Sequence, residues 1–141
     1  FYMMSPAGVP GLSALHSSRG AAFDDLDNDG DMDVVILNAR AQPTLLRNDS
    51  PNQHDWIGFD LRTSRGRHAV GARVSFQGGS LLHVDEVRSG RGYQSHYGSR
   101  LHFGLGNAPV PKSIRIRWPS GEVEERWDCR TGQYNRIQQG R

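Results

Sequence analysis

Apolar residues in this chain come in short bursts that alternate with polar ones. Across residues 113–127, Ile114, Ile116 and Trp118 alternate with Arg115 and Arg117, a period of two that buries one face of a β-strand and leaves cations on the other. Pro119, Ser120 and Gly121 supply the turn. The returning strand alternates Val123, Glu125 and Trp127 with Glu122, Glu124 and Arg126. A four-residue loop sets Arg117 opposite Glu124, so the basic face is expected to be neutralised within the sheet. Further strands are predicted near residues 55–62, 70–77, 80–88 and 99–104, at the short regular spacing of a sandwich or barrel.

Upstream, "AAF" and "DVVIL" predict the two strands of a hairpin and "PTLLRND" a third strand. Residues 1–18 read as an N-terminal arm or one edge strand. "SPNQHD", with Pro51 among polar residues, predicts a module boundary. The expected organisation is therefore an arm at 1–18, a hairpin module at 19–50 and a β domain at 51–141. No sustained helical period appears, and 17 glycines and 7 prolines punctuate the runs, so the fold class is all-β, with the hairpin module packed on a β-sandwich or barrel-like domain.

The chemistry concentrates in the hairpin. Asp24, Asp25, Asp27, Asp29, Asp31 and Asp33 fall within ten residues and run straight into an apolar strand. Such crowding is repulsive unless a cation sits among the acids. Asp25, Asp27 and Asp29 alternate, Gly30 follows at the sixth loop position and Asp33 at the ninth, a D-x-D-x-D-G-x-x-D spacing. Hard carboxylate oxygens with no His or Cys nearby favour Ca²⁺ over zinc or copper. An EF-hand would carry Glu at position twelve and helices on both sides, whereas Ile36 stands there and the flanks read as strands. The loop is expected at a hairpin tip, with side-chain oxygens from Asp25, Asp27, Asp29 and Asp33, the backbone carbonyl of Asp31, and Asp24 outside the inner ring. The competing reading is a solvated polar turn without an ion.

Net charge changes the picture little. The formal +2 comes from 16 arginines and a single lysine, Lys112, which points to planar pairings with carboxylates or other anions. Arg91, Tyr93, Tyr97 and Arg100 interleave guanidinium groups with rings, a pattern able to hold an anionic glycan or a nucleic acid. The local acids and the small charge excess favour internal pairing there and argue against nucleic acid. Asn48, Asp49 and Ser50 form a glycosylation sequon. Cys129 is the single cysteine, so no internal disulfide forms, and beside Trp127 it reads as a small buried hydrophobe. Six scattered histidines show no zinc spacing, "GLGNAP" has Pro109 where a dinucleotide loop needs its third glycine, and no nucleophile elbow frames Ser89 or Ser95. The chain is expected not to be an enzyme. No stretch reaches the ~18 apolar residues of a membrane span. With no basic start before an apolar core, the chain is expected to be either cytoplasmic or a processed form.

Residues 19–38 resemble an FG-GAP or VCBS-type repeat, a calcium-loop hairpin found in propeller blades and in many secreted proteins. Residues 53–141, through "HDWIGFDL", "AVGARVSF", "VRSGRGYQSHYGSRLHFGLG" and "IRIRWPSG", resemble the ASPIC/UnbV domain of the cartilage acidic protein family. The resemblance implies an extracellular or surface calcium-binding protein without known catalysis, and the function expected of this chain is structural or adhesive. Family members carry several such repeats, and here there is one, so the hairpin is expected to pack on the ASPIC/UnbV module or on another molecule. Self-association follows as an expectation, a homo-oligomer or fibre built through the arm from Phe1 to Leu15. The alternative function is a carbohydrate-binding module for anionic glycans.

Overall fold

The computed structural model describes residues 15–51, 54–93 and 95–140. Every regular element among them is a strand: β1 (Ser18–Asp24), β2 (Asp33–Asn38), β3 (Thr44–Leu46), β4 (Asp55–Arg62), β5 (Arg73–Gly78), β6 (Leu81–Glu86), β7 (Leu101–Gly106), β8 (Ile114–Arg117), β9 (Val123–Arg126) and β10 (Tyr134–Gln138). The all-β class expected from the period-two pattern is what the chain adopts. The arm expected at its start lies, up to residue 14, outside the described residues.

The chain divides into two compact units. The first comprises Phe1–Asp27, Asp31–Ser50 and Gly90–Tyr97. Its sheet is three-stranded and antiparallel in the order β1-β2-β3, with Phe23 opposite Val34 and Val35 opposite Leu45. Among its described residues, Asp25 and Asp33 are the buried ones, and no apolar side chain is. Tyr97 meets Phe23 edge-on at 5.9 Å.

The second unit comprises Asn28–Gly30, Pro51–Ser89 and Gly98–Arg141. It holds a mixed sheet, β10-β4-β7, and an antiparallel sheet, β6-β5-β8-β9. Their inner faces share one core: Ile57, Phe59 and Leu61 of β4 and Phe103 of β7 meet Val74 and Phe76 of β5 and Ile114 and Ile116 of β8. Phe76 packs edge-on to Phe103 at 5.0 Å, and Phe59 does the same at 5.9 Å, the arrangement ring quadrupoles favour. Two sheets around one shared core make a β-sandwich.

Two details differ from the sequence reading. The hairpin β8–β9 turns on Pro119, Ser120 and Gly121, with Trp118 N–H donating to Glu122 C=O at 2.8 Å and Gly121 left-handed at φ 89°. Arg117 therefore faces Val123 rather than Glu124, and Arg115 faces Glu125. A loop shorter by one residue slips the register by one, and a slip of one exchanges the faces of the returning strand. Glu124 is thereby placed opposite Ile116, where its Oε2 accepts from Trp118 Nε1 at 2.9 Å and its Oε1 pairs with Arg126 at 2.7 Å. The basic face is not neutralised as expected. The second difference is β10, which runs parallel to β4 and was not foreseen. Its second residue, Asn135, is buried and bonded to the Gly58 and Arg130 carbonyls, and a polar residue at a core position hides the alternation.

Candidate metal centre

Strand β1 ends at Asp24 and β2 begins at Asp33, and these two residues face each other across the ladder. The intervening residues must reverse the chain within one strand spacing, so the acids between them are forced together. Asn28 at φ 62° and Gly30 at φ 101° take left-handed conformations at the tip. Glycine adopts that region freely and Asn tolerates it better than most residues.

Asp25, Asp27 and Asp29 each present one carboxylate oxygen, and the three oxygens lie within 4.8 Å of one another. Two oxygens bound at about 2.4 Å to one Ca²⁺ are separated by at most about 4.8 Å. The cluster therefore has dimensions that could hold a metal ion. Asp25 is fully buried, whereas Asp27 and Asp29 are exposed, so the group opens to solvent on one side. Burying a carboxylate beside two others costs several kcal/mol unless positive charge and hydrogen bonds compensate it. An all-oxygen donor set suits a hard cation.

The group of converging side-chain oxygens comprises these three, and the carboxylates of Asp33 and Asp31 are not among them. Asp33 is 2% exposed, but its Oδ2 accepts the Leu26 N–H at 3.0 Å and its Oδ1 the Asn48 N–H at 2.9 Å. Asp33 thus ties the loop entrance to the segment after β3, because its position at the first residue of β2 aims it at these amides. At Asp31 the expected ligand is the backbone carbonyl, which a group of side-chain oxygens does not include. Asp24 Oδ1 accepts the Asp25 N–H at 3.0 Å. Sequence reasoning missed Arg47, whose Nε lies 3.4 Å from Asp27 Oδ2 and whose guanidinium also pairs with Asp49. No spacing rule connects a residue after the third strand to the loop, so only folding reveals it.

The remaining candidates are placed as follows. Asn48 is half-buried, and its Oδ1 accepts from the Ser50 N–H at 3.2 Å and from the Ser50 hydroxyl at 2.7 Å. Arg91 and Tyr97 face each other in the first unit, the guanidinium 5.9 Å from the ring centre. Tyr93 is 71% exposed. Arg100 belongs to the second unit, where it lies 4.0 Å over the Tyr134 ring and donates to Asn28 Oδ1 at 2.7 Å. The side chains of Arg91, Tyr97 and Arg100 are thus engaged in internal contacts. Around Tyr134, Trp56 stacks on His102 at 5.0 Å and His102 Nδ1 lies 3.1 Å from the Tyr134 hydroxyl. A Cβ at Gly30 would collide with the Trp56 ring, and one at Gly58 with Tyr134. Cys129 is half-buried against the core, and burial, with Asp128 adding to it, raises its thiol pKa to about 11.

Fold and site together define an all-β protein with an acid-rich hairpin loop and a two-sheet sandwich. The profile of the family described as ASPIC and UnbV matches residues 62–141, more than half of the chain, and the chain belongs to that family. A comparison with curated proteins finds no match. Among the described residues no helix is long and apolar enough to cross a membrane.

Proposed function

We propose that this chain is an extracellular, non-enzymatic calcium-binding protein in which Ca²⁺ organises an FG-GAP or VCBS-type hairpin and the ASPIC/UnbV sandwich supplies a rigid body for adhesion or assembly. One observation carries the reading: the convergence of the Asp25, Asp27 and Asp29 carboxylates within 4.8 Å, one of them buried. In this reading Asp25, Asp27 and Asp29 hold the ion, and Asp33 holds the loop that presents them. Ca²⁺ supplies charge compensation and no chemical step. The assignment of residues 19–38 to the repeat type rests on their spacing. The extracellular setting rests on the millimolar calcium available there, the sequon at Asn48 and the family resemblance.

Isothermal calorimetry tests the reading. About one Ca²⁺ per chain is expected, with binding abolished in Asp27→Ala. A wild-type chain that gives no heat with Ca²⁺ at millimolar concentration, and whose melting temperature EDTA leaves unchanged, sinks the proposal. Self-association through residues 1–15 belongs to the same reading. Light scattering on the full chain and on a chain lacking residues 1–12 tests it, and a full-length monomer at high concentration rejects it.

A further inference from the structure

The outer face of the sheet β6-β5-β8-β9 carries a row of arginines left without carboxylate partners. Arg73 of β5 stands directly opposite Arg117 of β8, and Arg115 stands opposite Ser75. All three arginines are exposed. No carboxylate lies within ion-pair distance of any of them among the described residues. Glu86 faces Arg73 and Glu125 faces Arg115 in register, yet neither closes a pair with them, and Arg117 faces Val123. Like charges directly opposite one another destabilise a sheet. Glu124, the acid that a different register would have brought here, is held by Trp118 and Arg126.

Between these arginines and β6 runs a shallow groove of about 240 Å³ lined by Arg73, Ser75, Leu82, Val84, Arg115 and Arg117. Leu82 is 66% exposed and Val84 is 37% exposed, so the groove pairs a cationic wall with an aliphatic one.

We infer that this groove binds an extended acidic peptide segment of a partner protein, with Asp or Glu at alternate positions. Arg115 and Arg117 are two residues apart on one strand, so their side chains leave the sheet about 6.8 Å apart. A peptide in extended conformation repeats its same-face side chains at that interval, which sets successive carboxylates over the two arginines. The planar guanidinium fork matches a carboxylate in two hydrogen bonds. Leu82 and Val84 cover the methylene stems of the acids and any apolar neighbour. No aromatic ring lines the groove, which removes the stacking platform that single-stranded nucleic acids use. The site is independent of the acid-rich loop and of calcium.

Fluorescence anisotropy with a fluorescein-labelled decapeptide of alternating Glu and Thr tests the inference, at low salt where exposed charges are least screened. The wild-type chain is expected to bind it. Arg115→Gln/Arg117→Gln is expected to weaken binding roughly tenfold or more, while the charge-matched pair Arg19→Gln/Arg40→Gln stays within about twofold of wild type. Melting curves establish that each variant is folded, and Arg73→Gln alone replaces the double variant if that one is not. Absence of binding by the wild type overturns the inference, and so does an equal loss in both charge-matched pairs. Tighter binding of a heparin fragment through the same three arginines also overturns it, because the occupant would then be a sulfated glycan.

Discussion

The two units of this chain are both built of β-strands alone among the described residues, but they bury opposite things. The second encloses apolar side chains from both of its sheets, among them Trp118, Phe59, Leu61 and Ile116, each at most 1% exposed. The first buries two aspartates and, among its described residues, no apolar side chain; Phe23, Leu37 and Leu45 remain exposed on its three strands. Among the described residues of this unit, apolar burial thus supplies little of the driving force that holds most small β-structures together. The sandwich is held by burial. In the proposed function, a cation among Asp25, Asp27 and Asp29 would add a term to the hairpin that scales with ion concentration rather than with area.

Substitutions can separate these two modes of stabilisation. The largest effect is expected from Phe59→Ala, which empties the ring cluster with Phe76 and Phe103 and should cost about 3–5 kcal/mol in denaturant unfolding, with or without Ca²⁺. Asp25→Ala comes next. If Ca²⁺ at one hundred times its dissociation constant contributes about 2.7 kcal/mol to the wild type, the variant should lose that increment and give the same melting curve in Ca²⁺ and in EDTA. A calcium-dependent melting curve in Asp25→Ala would move the site elsewhere.

Cys129 offers a smaller probe, confined to the sandwich. Burial holds its thiol pKa at about 11 against the ordinary 9.0, so the neutral form is favoured in the folded chain. The sign follows: this preference is fully present below about pH 9 and is lost as pH rises through about 11, so the thiol stabilises the fold at neutral pH and less so in alkali. Alkylation by iodoacetamide at pH 8 should be roughly 100-fold slower than for an exposed cysteine and should still be accelerating at pH 10. A plateau near pH 9 would show an unshifted thiol. The smallest effect is expected from Arg47→Ala, an exposed side chain beside Asp27 and Asp49, whose loss should change stability by less than about 1 kcal/mol. If Arg47→Ala instead raises calcium affinity, the guanidinium competes with the ion for Asp27.

Local patterning was enough to place nine of the ten strands, because short apolar or alternating runs, as in β5 and β8, are punctuated by turn residues such as Gly, Pro, Asn and Asp. It failed at β10, where Asn135 occupies a core position that only the carbonyls of Gly58 and Arg130 make tolerable. The acids of the loop were legible for the same local reason, since Asp25, Asp27 and Asp29 are close in sequence and any tight reversal crowds them. What the spacing at Asp33 did not reveal is that its carboxylate also accepts from amides seven and fifteen residues away.

The sequence by itself determined the class of fold, the existence of an acidic turn and the period that sends arginines to one face of β8. Tertiary structure decided what those arginines meet. One residue in the length of the turn at Pro119 moves Glu124 from their side of the sheet to the side of Trp118. Alternation fixes which residues share a face within a strand, but the pairing of faces between strands depends on register, which turn geometry sets. The burial of Asp25, the capture of Asp33 and the approach of Arg47 to Asp27 depend likewise on where distant backbone comes to lie. Such contacts are long-range in the chain, and no local pattern encodes them.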